Sequence, residues 1–209
     1  MCSMDWFEVL KTAAAVTAPI IGFFALRNWQ RQDKAKRDAE FLNDLIKAAH
    51  AYITEMSTPL TVWRMIKIGI DAHAPTWEQG DETEKAVKGA IAYIEKNGER
   101  EAKRAFEALA KARPAVVALQ SLIAWGQVFK FDNYTNATNA VRMLVWHFDK
   151  LEAFTAFVGS TNMYWSNPQI QKSLKDLIAI DTDAMIKNMQ ENDVALITFA
   201  RATYAEIYG

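Results

Sequence analysis

Apolar residues recur along this chain at intervals of three and four over almost its whole length, and no stretch keeps up a two-residue alternation. That spacing lines up apolar side chains on one face of an α-helix, whereas a half-buried strand needs strict alternation. The pattern predicts an all-α chain. Its clearest departure from amphipathic spacing lies near the start, in Val9 to Trp29 (VLKTAAAVTAPIIGFFALRNW), where no charged side chain falls between Lys11 and Arg27. At about 1.5 Å of rise per residue, roughly 20 such residues cross a hydrocarbon core of about 30 Å. Trp6 and Trp29 bracket the run as interfacial aromatics, and Lys11 and Arg27 can extend to headgroups. The expectation is a short non-cytoplasmic N-terminus at 1–8, a transmembrane helix at 9–29 and a cytoplasmic all-α domain at 30–209. A competing reading makes the same run a buried helix of the fold, because its uncharged core is only 15 residues long.

Charge sets the expected orientation. Arg27, Arg31, Lys34, Lys36 and Arg37 follow the run, against Asp33 and Asp38, and basic residues beside a span stay on the cytoplasmic side. The chain is therefore read as a single-pass inner (plasma) membrane protein whose bulk is cytoplasmic, with those five basic side chains at the lipid surface. Ala14, Ala18 and Gly22, spaced four apart, form a small-residue face on which two spans can pack. A cleaved signal peptide fits poorly, since Asp5 and Glu8 precede the run and no small-x-small cleavage site follows it.

After the run, Gln30 to Met56 holds no proline or glycine and carries Phe41, Leu42, Leu45, Ile46, Ala49 and Ile53 at helical spacing, so the span is expected to continue into the domain as one long helix. Ser57-Thr58-Pro59 predicts a stop and a new start, with Val62, Met65, Ile66, Gly69 and Ile70 facing inward. His73 to Gly80 reads as a loop, and Asp81 with Glu84 as a capping box for the next helix, which Asn97-Gly98 ends. Glu99 to Arg113 reads as a solvent-facing helix with Ala102, Phe106 and Leu109 inward and ion pairs Glu99–Lys103 and Glu107–Lys111. Pro114 to Phe129 and Val141 to Val158 are apolar on more than one side, the mark of central helices. A turn over 162–168, a helix carrying Ile170, Leu174 and Leu177, caps at Asp181 and Asp183, and a last helix carrying Ile197, Ala200, Tyr204 and Ile207 complete a bundle of six or seven helices.

Composition narrows the function classes. A net charge of -1 gives no global attraction to nucleic acid, and the interleaved acids of Glu99 to Arg113 argue against a nucleic-acid face there. One cysteine, Cys2, excludes an internal disulfide and a cysteine-rich zinc site. His50, His73 and His147 stand at no metal-ligand spacing, and no HExxH, glycine-rich phosphate loop or GxSxG occurs. No cofactor is expected, and the chain is read as non-enzymatic.

One segment departs from this plain picture. In Trp125 to Asn139, WGQVFKFDNYTNATN, the aromatic Trp125, Phe129, Phe131 and Tyr134 stand beside Lys130, Asp132 and Asn133. Aromatic faces with adjacent amides and a cation can hold a base or nucleotide, or a partner. The same residues also suit a connection in which Phe129 and Phe131 anchor to the core and Asn136 or Thr138 caps the following helix. An exposed aromatic at Trp77 is a second, weaker candidate contact.

The block WFEVLKTAAAVTAPIIGFFALRNWQRQDKAKRDAEFL resembles the start of uncharacterised bacterial and phage inner-membrane proteins that carry an N-terminal span and a helical cytoplasmic domain. The resemblance covers about the first 55 residues and implies topology but no activity. Three functions follow. The first is a membrane-anchored interaction protein, an accessory subunit or scaffold that docks a protein partner or its own copies. The second is a sensor-effector of bacterial stress or phage defence that binds a small ligand such as a nucleotide. The third is an enzyme with an unrecognised site.

Overall fold

The structure, a computed structural model, describes residues 6–75 and 81–209, apart from the side chains of residues 6–16 and 18–20. Its helices are α1 (Trp6–Ala72), α2 (Glu82–Gly126), α3 (Tyr134–Gly159), α4 (Pro168–Ile178) and α5 (Thr182–Tyr208), with a 3₁₀ turn at Gln127–Phe129 joining α2 to α3. No strand occurs among the described residues, as the absence of two-residue alternation predicts.

Four of these helices form a ring in which α1 packs on α2, α2 on α3, α3 on α5 and α5 back on α1, with α4 lying mainly against α2. Two ties fix α1 and α3 as parallel neighbours across the diagonal. The Tyr52 hydroxyl donates to the Leu144 carbonyl, and the Trp63 indole N–H donates to Thr155 Oγ1 at 3.0 Å. Tyr204 bonds the Ala39 carbonyl at 3.0 Å while Arg64 pairs with Asp183, so α5 runs antiparallel to α1. The result is an up-down-up-down bundle whose α1 face, from Phe41 through Leu45, Tyr52, Met56, Trp63 and Ile66 to Ile70, is wholly buried. Its steps of three and four residues are those of a helix pressed along its length against neighbours.

Several predicted boundaries disappear. α1 runs straight through Ser57-Thr58-Pro59, where a restart was expected. Pro59 removes one backbone donor, and the hydroxyls of Thr54, Ser57 and Thr61 bond the carbonyls of His50, Thr54 and Ser57 at 2.7–2.9 Å around it. The three helices predicted between Glu82 and Phe129 are one, α2. Asp81 does cap it, accepting from the Glu84 N–H at 3.3 Å. Gly98 is no terminator: a Cβ there would collide with the Val158 carbonyl of α3, so the glycine marks a close helix crossing. Pro114 lies inside the same helix. Ala102, Ala105, Ala108 and Ala112 are buried beside it, a small-residue stripe that brings α2 close to its neighbours.

Other details also shift. Met65 and Phe106, expected inward, are exposed. In place of Glu99–Lys103 and Glu107–Lys111, the buried Glu101 pairs with Arg100 and Arg104 at 2.9 Å. Among the described residues the bundle has five α-helices, below the six or seven expected.

The largest correction concerns the membrane. Among the described residues no helix is long and apolar enough to cross one. The expected transmembrane helix at 9–29, and with it the expected single-pass inner-membrane placement, does not hold. The physical reason lies in the run itself. Its 15 uncharged residues extend about 22 Å as a helix, short of the roughly 30 Å of a hydrocarbon core. The rest of α1 is amphipathic or charged, so added length brings no added apolarity.

The Gly98 crossing yields a stability prediction. Alanine in a helix interior gains up to about 1 kcal/mol over glycine, but overpacking costs about 1–3 kcal/mol. Gly98→Ala should therefore lower the unfolding free energy by about 1–2 kcal/mol in urea denaturation followed by circular dichroism. An unchanged midpoint would show that the α2–α3 crossing is slack.

Candidate functional site

The chemistry singled out in the sequence converges where α1 enters the bundle. Lys34, Arg37, Asp38 and Phe41 recur at three- and four-residue steps on α1 and face the turn between α2 and α3. At that turn α2 ends at Trp125 and Gly126, the 3₁₀ turn carries Val128 and Phe129, and Lys130 follows in the left-handed region with φ 54° and ψ 42°. Asn133, also left-handed at φ 55°, precedes α3 as its N-cap without a side-chain cap bond. The capping expected from Asn136 or Thr138 does not occur, since both lie inside α3 and the Thr138 hydroxyl bonds the Tyr134 carbonyl at 3.1 Å.

Two consecutive chain reversals aim Phe129 and Phe131 at the same partner, Phe41. Phe41 stacks on Phe129 with centroids 4.8 Å apart and on Phe131 at 5.5 Å, and the latter two rings are parallel within 2°. Tyr134 and Phe199 of α5 close the cluster, 5.7 Å apart. The Tyr134 hydroxyl donates to the Ile123 carbonyl at 2.8 Å, supplying a donor to the last turn of α2, whose carbonyls lack helical partners. Burial pushes that hydroxyl's pKa up to about 12. Gly126 is required here, because a Cβ would strike Tyr134 and Phe41.

Phe129, Phe131 and Tyr134 are thus engaged in packing, as the anchoring alternative expected. Trp125 differs. It lies edge-to-face with Phe41 at 5.9 Å and Phe129 at 5.3 Å, yet keeps 54% of its surface exposed. It borders a cavity of about 530 Å³ together with Lys34, Arg37, Asp38 and Lys130. A second cavity of about 420 Å³ shares Lys34, Asp38, Phe129 and Lys130 and adds Arg31, Phe131, Asp132 and Glu206. The structure therefore joins two groups that the sequence held 90 residues apart in separate readings: the basic Arg31, Lys34 and Arg37, and the 125–134 segment.

Ion pairing divides the charges of this region. Arg37 pairs with Asp33 at 3.3 Å, Lys36 with Glu40 at 3.9 Å and Lys47 with Asp44 at 3.7 Å. Among the described residues no carboxylate lies within 4.0 Å of Arg31, Lys34 or Lys130. Asp38 is nearly buried; desolvation raises its carboxyl above the ordinary range, while Lys34 and Arg37 pull it down. Lys36 lies off the cavity, and Arg27 and Gly22 lie farther back on α1, where every described side chain from Ile21 to Lys34 is exposed. Nothing stands within 4 Å of a Cβ built on Gly22, and the side chains of Ala14 and Ala18 lie outside the described residues, as does Trp77. Phe41, Phe199 and Tyr204 were not singled out for this site. Only Phe41, in helical step with Lys34 and Arg37, carried a signal.

Among the described residues no three His, Cys, Asp or Glu side chains meet in a way that would hold a metal. His73 Nδ1 lies 2.8 Å from the Gly69 carbonyl, and Asp181 caps α5 by accepting from the Asp183 and Ala184 amides at 2.9 Å. No family model, curated protein or solved structure matches this chain.

His147 is the titratable group that the core constrains most plainly. Asn188 Oδ1 accepts from Asn192 at 3.1 Å and lies 2.8 Å from His147 Nε2, so Nε2 carries the proton. His147 Nδ1 is buried without a partner, and protonation would leave it an unsatisfied donor. Burial accordingly pulls the pKa below its ordinary 6.5. Below pH 6.5 the unfolded chain takes up a proton that the folded ring refuses, so stability falls as pH drops from 6.5 toward the depressed folded value. Above 6.5 the ring adds no slope. Thermal melts from pH 7.5 to 5.5 should show a falling Tm that flattens in His147→Gln; equal slopes in both proteins would refute this assignment.

Proposed function

We propose that this chain is a non-enzymatic interaction protein that assembles with its own copies through the exposed apolar length of α1. The carrying observation is the exposure of Ile21, Phe23, Phe24, Leu26 and Trp29, each with 54–67% of its surface open, on a helix whose described side chains are all exposed from Ile21 to Lys34. A helix apolar nearly all round is normally covered on several sides, and helical length without tertiary packing is marginal in water.

A second copy is a partner of suitable chemistry. The sequence places Asp5, Glu8 and Lys11 on one side of the apolar run and Arg27 and Arg31 on the other, so antiparallel copies bring a net acidic flank to a basic one. A large apolar side chain offers roughly 150–250 Å², so at these exposures the five present roughly 600 Å² per copy, and because they lie all round the helix, covering them takes more than one neighbouring copy.

The test is the mass of the full chain in buffer by light scattering after size exclusion. A multiple of 23.6 kDa is expected, falling to the monomer in Phe24→Glu and Leu26→Glu, which touch no part of the bundle. A wild-type monomer at tens of micromolar would end this reading.

A further inference from the structure

We propose that the cavity at the mouth of the bundle binds a nucleoside phosphate, with the base against Trp125 and the phosphates against Lys34 and Lys130. This goes beyond assembly through α1 and does not depend on it.

Size and composition agree with such a ligand. A volume of about 530 Å³ lies within the usual range for small-molecule sites, which are mostly apolar walls with a few convergent polar groups. The apolar wall is Trp125 and Val128, of which 54% and 73% of the surface is exposed. Phe41 and Phe129 fix the Trp125 ring edge-to-face, so it enters the site already oriented. A preset aromatic surface binds a planar base without a further ordering cost.

The charged groups point the same way. Most acids on the first cavity are committed elsewhere: Glu40 to Lys36 and Asp44 to Lys47. Asp38 is nearly buried, and Lys34 and Arg37 beside it offset its negative charge. Lys34 and Lys130 border both cavities and have no carboxylate within 4.0 Å among the described residues. Trp125, Val128 and Arg37 line only the first cavity, which places base and phosphates there rather than in the second. Two lysines without a close ion-pair partner beside an oriented indole match a ligand that is planar at one end and anionic at the other.

The backbone supplies an independent sign. Lys130 holds φ 54°, a conformation that glycine or asparagine adopts at little cost and a lysine does not. Helix ends commonly place glycine at such a position. Here the left-handed position is held by a lysine that lines the cavity. The turn that stacks Phe129 and Phe131 on Phe41 thus also sets a lysine, rather than a glycine, at the cavity wall.

Isothermal titration and thermal shift of the full chain with ATP, GTP and UTP test the proposal, with adenosine and tripolyphosphate as separate arms. At least one nucleotide should bind and raise Tm, because a ligand of the folded state alone must stabilise it. Adenosine and tripolyphosphate should each bind more weakly than the nucleotide. Lys34→Gln should weaken binding about tenfold. Lys130→Gly is the decisive variant. It relieves the left-handed strain, so its Tm without ligand should hold or rise while nucleotide binding is lost. No stabilisation by any of the three nucleotides overturns the proposal. So does Lys130→Gly binding as tightly as the wild type, or tripolyphosphate binding as tightly as the nucleotide.

Discussion

Phe41 is where a 67-residue helix stops being a lone rod and becomes one wall of a bundle. Upstream of it, α1 exposes every described side chain from Ile21 to Lys34; from Phe41 onward each inward step is buried. The ring meets Trp125, Phe129, Phe131 and Tyr134, so residues from the end of α2, the connecting turn and the start of α3 all converge on one side chain of α1. Phe199 packs on Phe131 and Tyr134 and brings in α5. Burying one aromatic ring thereby locates four helices at once, which no pairwise contact elsewhere in the bundle does.

The remaining order comes from a few polar groups that cannot be left unpaired. Tyr52 and Trp63 are completely buried and large, yet each carries a donor. Those donors find Leu144 and Thr155 on α3, the helix across the diagonal. Because a buried donor without an acceptor costs about 1–3 kcal/mol, these two bonds fix the register of α1 against α3 more sharply than apolar contact alone. Thr155 in turn donates to the Leu151 carbonyl at 2.7 Å, so the pairing is complete. The surface pairs Arg64–Asp183 and Arg113–Glu152 follow from this register and add little of their own.

The mouth of the bundle is also the place where α1 changes character, so a group held there would touch both the packed and the exposed part of the same helix. Lys34 belongs to the last exposed turns and Phe41 to the first buried one, two helical turns apart. The turn that carries Lys130 faces both.

By itself the sequence determined the helical class and most inward faces, because those depend on local periodicity: Leu42, Leu45, Ala49, Ile66, Ile94, Leu109 and Leu144 are buried where their spacing puts them. It also determined the caps at Asp81 and Asp181, whose side chains bond amides two or three residues on. It misplaced the breaks. Gly98 and Pro59 carry the local signature of helix ends, and only the approach of the Val158 carbonyl and the tertiary packing of α1 override it. The apolar run after Lys11 has the composition of a span, but its 15 uncharged residues fall short of a hydrocarbon core. At the site, the aromatic segment was legible as an oddity. Which of its rings would pack and which would stay open was not. That depended on Phe41 and Phe199, far away in sequence, because stacking partners are chosen by the meeting of helices and leave no mark in the spacing of either one.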